Sequence, residues 1–277
     1  MRSRRLGSEL RRLREAAGKT ADQAAQVLEC SRPRISRIEN GLNPLRQRDL
    51  RDLLEFYEVT DATLRHGLED LVRTAGQRGW WFEYGDTIPP SYADLIGLEA
   101  EAEYIRSWQL ALVPGVLQTE AYARAVLEAN PAGVDPAVVE QRVAVRMERR
   151  KTTFEGERIP RFWAIMWEPL LRTPVGGPGV MKAQLQALVR SAGQPQVTLQ
   201  VLPSERGASA GTSGAFVMFQ IPPPYGDVVF LESLTSSSYI ESPEDIRGYT
   251  LAFDHLRSYA LDPTDSLSLI SEIASSL

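Results

Sequence analysis

Ser31-Arg32-Pro33-Arg34-Ile35-Ser36-Arg37-Ile38-Glu39-Asn40-Gly41 is the stretch whose reading decides the fold. Ile35 and Ile38 stand three apart and share one face of a helix, while Arg32, Arg34, Ser36 and Arg37 point elsewhere. Ser31 offers an N-cap, and Asn40-Gly41 ends the helix. Pro33 is tolerated because a first-turn N–H has no intrahelical partner to lose.

Upstream, Leu6, Leu10, Leu13 and Ala17 recur at helical spacing with Arg4, Arg5, Arg11, Arg12 and Arg14 mostly off that stripe, and Gly18 closes the segment. Thr20 then caps a short second helix whose apolar positions are Ala24, Ala25, Val27 and Leu28, and the alanines allow a neighbouring helix to come close. The turn Glu29-Cys30 leads into the arginine-bearing helix. Two short helices joined by a tight turn, the second showing arginines near its N-terminus, fit the major groove of double-stranded DNA. A helix matches that groove in width, and arginine can give guanine two parallel hydrogen bonds.

The segment resembles the recognition helix of the Xre family of helix-turn-helix regulators. The resemblance implies an all-α, five-helix head in which Arg32 and Arg37 read bases, with Arg34 and Ser36 as flanking contacts. Three departures matter. Ala21 stands where the family often has a phosphate-touching Gln, leaving Gln23 or Lys19 to substitute; Glu29 stands where the turn usually has Gly; and Pro33 removes one side-chain reader and leaves a shape contact. The expected DNA-binding set is therefore Lys19, Gln23, Ser31, Arg32, Pro33, Arg34, Ser36 and Arg37. Cys30 reads either as a small packed residue or as a thiol activated by nearby arginines.

The charge distribution agrees. Net charge is −5 over 277 residues, yet residues 1–40 hold ten Arg and Lys against five Asp and Glu, so the remainder carries the acidic excess. A basic head on an acidic body suits a protein that meets phosphates with one defined face. No apolar run approaches the roughly 20 residues that cross a bilayer, and the charged N-terminus is no signal peptide, so a cytoplasmic protein without membrane contact is expected. A single cysteine forms no internal disulfide, and two histidines leave little for a zinc site, so neither metal nor cofactor is expected.

Pro44 is expected to open a fourth helix bearing Leu50, Leu53, Leu54 and Tyr57, and Asp61 to cap a fifth through Leu64, Leu68, Leu71 and Val72. Arg46, Arg48 and Arg51 read equally as flanking phosphate contacts or as solvated surface. This places a DNA-binding domain at residues 1–74, an aromatic connecting segment with Trp80-Trp81-Phe82 and Tyr84 at 75–92, and an α+β body at 93–277. Gly76, Gly79, Gly85 and Pro89-Pro90 punctuate the connection. Its aromatics read as docking on the body, or as a ligand cage.

In the body, helices are expected over 95–108, 119–129, 136–154, 178–190, 243–261 and from Ser266. Arg161–Trp167 reads as a buried strand, and three apolar runs, 197–202, 215–221 and 228–232, as adjacent strands of a mainly antiparallel sheet. Trp80-Trp81, Leu98-Glu99, Val113 through Thr119 with Tyr122-Ala123-Arg124, Val201-Leu202-Pro203, Gly214-Ala215-Phe216, Glu232 and Phe253 through Leu256 resemble landmarks of actinobacterial regulators of the WhiJ-like, antitoxin-like type. That resemblance implies a repressor working with a small acidic partner protein.

Several other features have competing readings. The Pro114-Gly115 turn either offers backbone donors to an anion or peptide carboxylate, or is only a turn and a cap. Arg142, Arg146, Arg149, Arg150 and Lys151 form a second basic cluster for an acidic partner, a dimer mate or flanking DNA, or simply a solvated helix face. Gly207–Gly214 lacks the lysine of a phosphate loop and reads as a mobile hairpin. Asp254-His255 with Glu232 is the nearest thing to a catalytic relay, and it lacks a motif, so no enzyme is expected. Two functions remain: a DNA-binding regulator, expected as a homodimer, whose body senses an unknown small-molecule effector or binds a partner, or an antitoxin-like interaction module whose head has lost specific DNA binding.

Overall fold

The computed structural model describes residues 2–75, 80–84, 88–129, 135–156, 158–222 and 226–277. The chain divides into two compact units, one over Met1–Phe82 and one over Glu83–Ile221 and Gly226–Leu277. Gly76, Gly79 and Gly85, which were expected to punctuate the connection, lie outside the described residues. Trp80–Tyr84 forms a single 3-10 turn in which the Trp80 and Trp81 rings meet edge to face at 5.9 Å.

The head is five helices: α1 (Arg2–Ala16), α2 (Ala21–Val27), α3 (Arg32–Glu39), α4 (Gln47–Phe56) and α5 (Ala62–Ala75). They enclose one core that includes Leu10, Ala24, Ile35, Leu50, Leu54 and Leu68. Gly18, at φ +67°, turns the chain out of α1, and Asp61 Oδ1 accepts from the Thr63 and Leu64 amides at 2.8 and 3.1 Å to start α5. Helix α4 begins at Gln47, not at Pro44, because Leu45 drops into the core from an extended segment and Arg46 (ψ 152°) keeps a non-helical backbone.

The body contains α6 (Pro90–Glu101), β1 (Tyr104–Gln109), α7 (Glu120–Glu128), α8 (Pro136–Glu155), β2 (Arg161–Trp167), α9 (Glu168–Arg172), α10 (Pro178–Ser191), β3 (Val197–Leu202), β4 (Phe216–Gln220), β5 (Val228–Glu232), β6 (Ser237–Ile240), α11 (Pro243–Tyr259) and α12 (Pro263–Ser276). The fold is α+β, with one six-stranded sheet in the order β3-β2-β1-β4-β5-β6. Three of its five pairings are antiparallel, and β1-β2 and β2-β3 are parallel.

Three expectations are corrected here. The helix expected over 95–108 stops at Glu101, where Ala102 turns extended, and Tyr104–Gln109 is the central strand β1. Its alternation sets Ile105 and Ser107 on one face and Arg106 and Trp108 on the other, polar enough to hide among helix formers. Strand β3 does not neighbour β4; it sits at the far edge, with β2 and β1 between them. Gly207–Gly214 is therefore a crossover and not a hairpin, and it is pinned: the buried Trp108 Nε1 donates to Gly211 O at 2.9 Å, and a Cβ on Gly211 would fall 2.2 Å from that nitrogen.

Trp108, Ile165, Leu202, Phe216, Met218 and Val229 form the sheet face that packs on Phe253 and Leu256 of α11. On the opposite face Phe162 meets Phe154 of α8 at 5.7 Å, ring edge to ring face.

Candidate nucleic-acid interface

Helix α2 begins with a capping box: the Gln23 amide donates to Thr20 Oγ1 at 3.2 Å, and the Thr20 amide donates to Gln23 Oε1 at 2.8 Å. Ala24 and Ala25 are buried, and the Cys30 amide donates to Ala25 O at 2.9 Å, which draws the turn tight against α2. That turn requires a left-handed residue, and Glu29 takes it at φ +48°. Cys30 packs at the edge of the head core, with its thiol 3.7 Å from Ser31 O.

Ser31 occupies the N-cap position of α3 through its backbone, the carbonyl accepting from Arg34 N at 2.8 Å; its hydroxyl makes no capping bond, contrary to expectation. Ile35 and Ile38 anchor α3 in the core. The opposite face exposes Ser31, Arg32, Pro33, Ser36, Arg37 and Asn40, residues that follow one another at helical spacing.

The arginines of this helix are not equivalent. Arg34 is half-buried and turned back, its Nη2 3.5 Å from Asp49 Oδ2 on α4. Arg32 is open, with Asp22 Oδ2 at 3.8 Å as its nearest carboxylate. Among the described residues no carboxylate pairs with the exposed Arg37. Lys19 lies over the Phe56 ring at 5.0 Å with Glu58 Oε1 at 3.8 Å, and Gln23 spends its amide oxygen on the capping box. Of the three arginines around α4, Arg51 is bonded to Glu69 at 3.1 Å and Arg48 is 3.9 Å from Asp52, while Arg46 is exposed.

Sequence reasoning missed what orients α3. Arg14, grouped with the solvent-facing arginines of α1, is buried: its Nε and Nη2 donate to Glu39 at 2.6 and 3.0 Å, and its Nη1 donates to Lys19 O at 2.9 Å. The bond to Glu39 holds the Arg14 guanidinium above its ordinary pKa, against the opposing effect of burial. Seven residues earlier on the same face, Gly7 lets α1 rest on the end of α3, since a Cβ there would lie 2.3 Å from Ile38 O. The available signal was that seven-residue spacing of a helical glycine and an arginine.

In the body, the segment that follows the Pro114-Gly115 turn forms a clasp, starting with the Leu117 amide, which donates to Pro114 O at 2.8 Å. The Thr119 amide donates to Gln184 Oε1 at 2.7 Å, Gln184 Nε2 donates to Leu117 O at 2.9 Å, and Gln118 Nε2 donates to Val113 O at 2.7 Å. The second basic cluster separates likewise. Arg149 is buried, gripping Glu99 with hydrogen bonds of 2.5 and 2.8 Å and donating to Tyr92 OH at 2.7 Å. Burial acts to lower the Arg149 pKa, but Glu99 and Tyr92 outweigh it and hold it above the ordinary value. Arg146 donates to Gln118 Oε1 at 2.8 Å, so α8 and the clasp form one polar network.

His255 stacks on Tyr259 at 4.4 Å, and Asp254 lies 3.5 Å from Arg257. Among the described residues no group of three or more His, Cys, Asp or Glu side chains could hold a metal ion. No helix of the described residues is long and apolar enough to cross a membrane.

A family model described as "Helix-turn-helix domain" matches residues 5–67, and one described as "Domain of unknown function (DUF5753)" matches residues 92–272, more than half of the chain. No curated protein and no solved structure matches.

Proposed function

We propose that this chain, which belongs to the DUF5753 family and carries a helix-turn-helix head, is a cytoplasmic, sequence-specific transcriptional repressor of the Xre and WhiJ-like type. Its body senses a small molecule or binds a small acidic partner protein in antitoxin-like fashion. The observation that carries this reading is the outer face of α3, where Arg32 and Arg37 stand exposed on a helix locked to α1 through Glu39 and Arg14. A rigidly held helix with exposed guanidinium groups can place them against guanine edges, and each such bidentate contact discriminates by about 1–3 kcal/mol.

Arg32 and Arg37 act as the base readers, Ser31, Pro33 and Ser36 as close contacts along the groove wall, and Lys19, Gln23 and Arg46 as phosphate neighbours. Arg34 takes a lesser part, because Asp49 competes for it. A homodimer then reads two half-sites about one DNA turn apart. Selection of duplexes from a random-sequence pool by the full-length protein tests the proposal. A shared, two-part consensus is expected from the wild type and none from the R32A/R37A double variant; enrichment of the same consensus by both overturns the assignment.

A further inference from the structure

Helix α11 lies on the sheet with Phe253 and Leu256 buried, and its other side is open. Leu251 stands in the middle of that open side with 71% of its surface exposed, at the centre of the 17 residues from Pro243 to Tyr259. With about 3.6 residues per turn, Arg247, Gly248, Asp254 and His255 flank Leu251 on the same outward surface. Arg247 and Asp254 fall to one side of it, Gly248 and His255 to the other. Among the described residues no carboxylate pairs with Arg247. Asp254 is half exposed, with Arg257 at 3.5 Å as its ion-pair partner within the chain. Gly248 weakens the middle of the helix, and a Cβ there would meet nothing within 4 Å, so no neighbour inside the chain explains the missing side chain. The His255 ring is stacked on Tyr259 at 4.4 Å, a flat and exposed aromatic plate.

This surface is complementary to itself. When a second α11 is laid antiparallel on the first with the two Leu251 side chains in contact, Arg247 of one copy comes opposite Asp254 of the other. Gly248 comes opposite His255 and leaves room for its ring. Twofold symmetry makes each of these contacts twice, and Glu244 falls opposite Ser258, so no like charges meet. A parallel arrangement would instead set Arg247 against Arg247 and Asp254 against Asp254. We propose that α11 is the surface through which two copies of this chain pair, antiparallel and centred on Leu251. The inference rests on the reading of the protein as a homodimer, and it identifies the interface. One helix pair is smaller than the standard interface of about 800 Å² per partner, so association in the micromolar range is expected.

Sedimentation velocity of the full-length protein without DNA, over about 1–100 µM, tests it. Wild type is expected to be dimeric at the upper end of that range. R247D and D254R, each of which brings like charges together twice, are expected to stay monomeric with unchanged circular dichroism spectra. An equimolar mixture of R247D with D254R is expected to dimerise again, because each copy then supplies the charge that the other lacks. L251E, which sets two carboxylates at the centre, is expected to weaken pairing at least about tenfold. A wild type that is monomeric throughout, single variants that dimerise as tightly as wild type, or a mixture that stays monomeric overturns the proposal. The R32A/R37A variant is expected to lose its consensus yet still dimerise, so failure of the α11 pairing and failure of the DNA-binding reading give different results.

Discussion

Arg14 of α1 and Glu39 at the end of α3 are joined by two hydrogen bonds of 2.6 and 3.0 Å, with 11% and 9% of the two side chains exposed. This pair, on the shelf made by Gly7, sets the angle at which the outward face of α3 leaves the head. Removing one partner strands the other charge in the core. Arg14→Met is therefore expected to cost about 3 kcal/mol of stability, since breaking a buried pair typically costs that much or more. Urea unfolding followed by circular dichroism measures it, and a loss below about 1 kcal/mol would show that the bond is not a structural clamp.

The unequal surroundings of the arginines on α3 predict unequal losses on DNA. Arg37→Ala removes a side chain that no described carboxylate holds and is expected to cost about 1–3 kcal/mol of binding to the selected site. Arg34→Ala, already committed to Asp49, is expected to cost under about 1 kcal/mol. Fluorescence anisotropy with a labelled duplex ranks them; the reverse order would mean that Arg34 swings away from Asp49 to read the groove.

Glu29 holds the turn between α2 and α3 at φ +48°, a conformation that glycine adopts without a Cβ clash. Glu29→Gly is expected to stabilise the head by about 0.5–1 kcal/mol, the relief of strain being partly offset by the freer unfolded chain. Thermal unfolding is the readout, and a lowered Tm would indicate that the Glu29 side chain contributes more than its backbone costs.

Acid sensitivity should concentrate at Glu168. Its Oε2 accepts from the Ser204 amide at 3.0 Å and from the Ser204 hydroxyl at 2.9 Å, and Arg172 lies 2.8 Å from Oε1. The Ser204 amide is the largest influence and, with Arg172, holds the carboxyl below its ordinary pKa against the effect of burial. A lowered folded pKa means stabilisation that is present above the unfolded value of about 4.3 and lost as the pH falls through the folded one. Wild type is expected to exceed E168Q in stability by about 1 kcal/mol at pH 7, with the gap closing below about pH 4. A gap that stays constant with pH would contradict this role.

The head was legible because its signals are local. The Ile35 and Ile38 pair, the Thr20 cap and the Gly18 stop each act within one or two turns, and all of them appear in the structure. What escaped was long-range: Arg14 and Glu39 are 25 residues apart, and no periodicity tells which of six neighbouring arginines turns inward. Strand β1 escaped for a related reason. Paired on both sides and carrying Arg106, Ser107 and Gln109, it owes its place to partners more than 50 residues distant in sequence, among them Arg161 and Gln220 opposite Tyr104. The basic cluster on α8 read as one surface, yet Arg149 went to Glu99 in the interior while Arg142 and Arg146 came to line a cavity, a division set by the packing of α6.

The most direct measurement compares wild type and R37A on the selected duplex and on a duplex with the contacted guanine replaced. The replacement is expected to weaken wild-type binding by about 1–3 kcal/mol and to leave R37A almost unaffected, since its reader of that base is already gone. If the replacement weakens both proteins equally, Arg37 does not read that base, and the outer face of α3 is not the surface that recognises sequence.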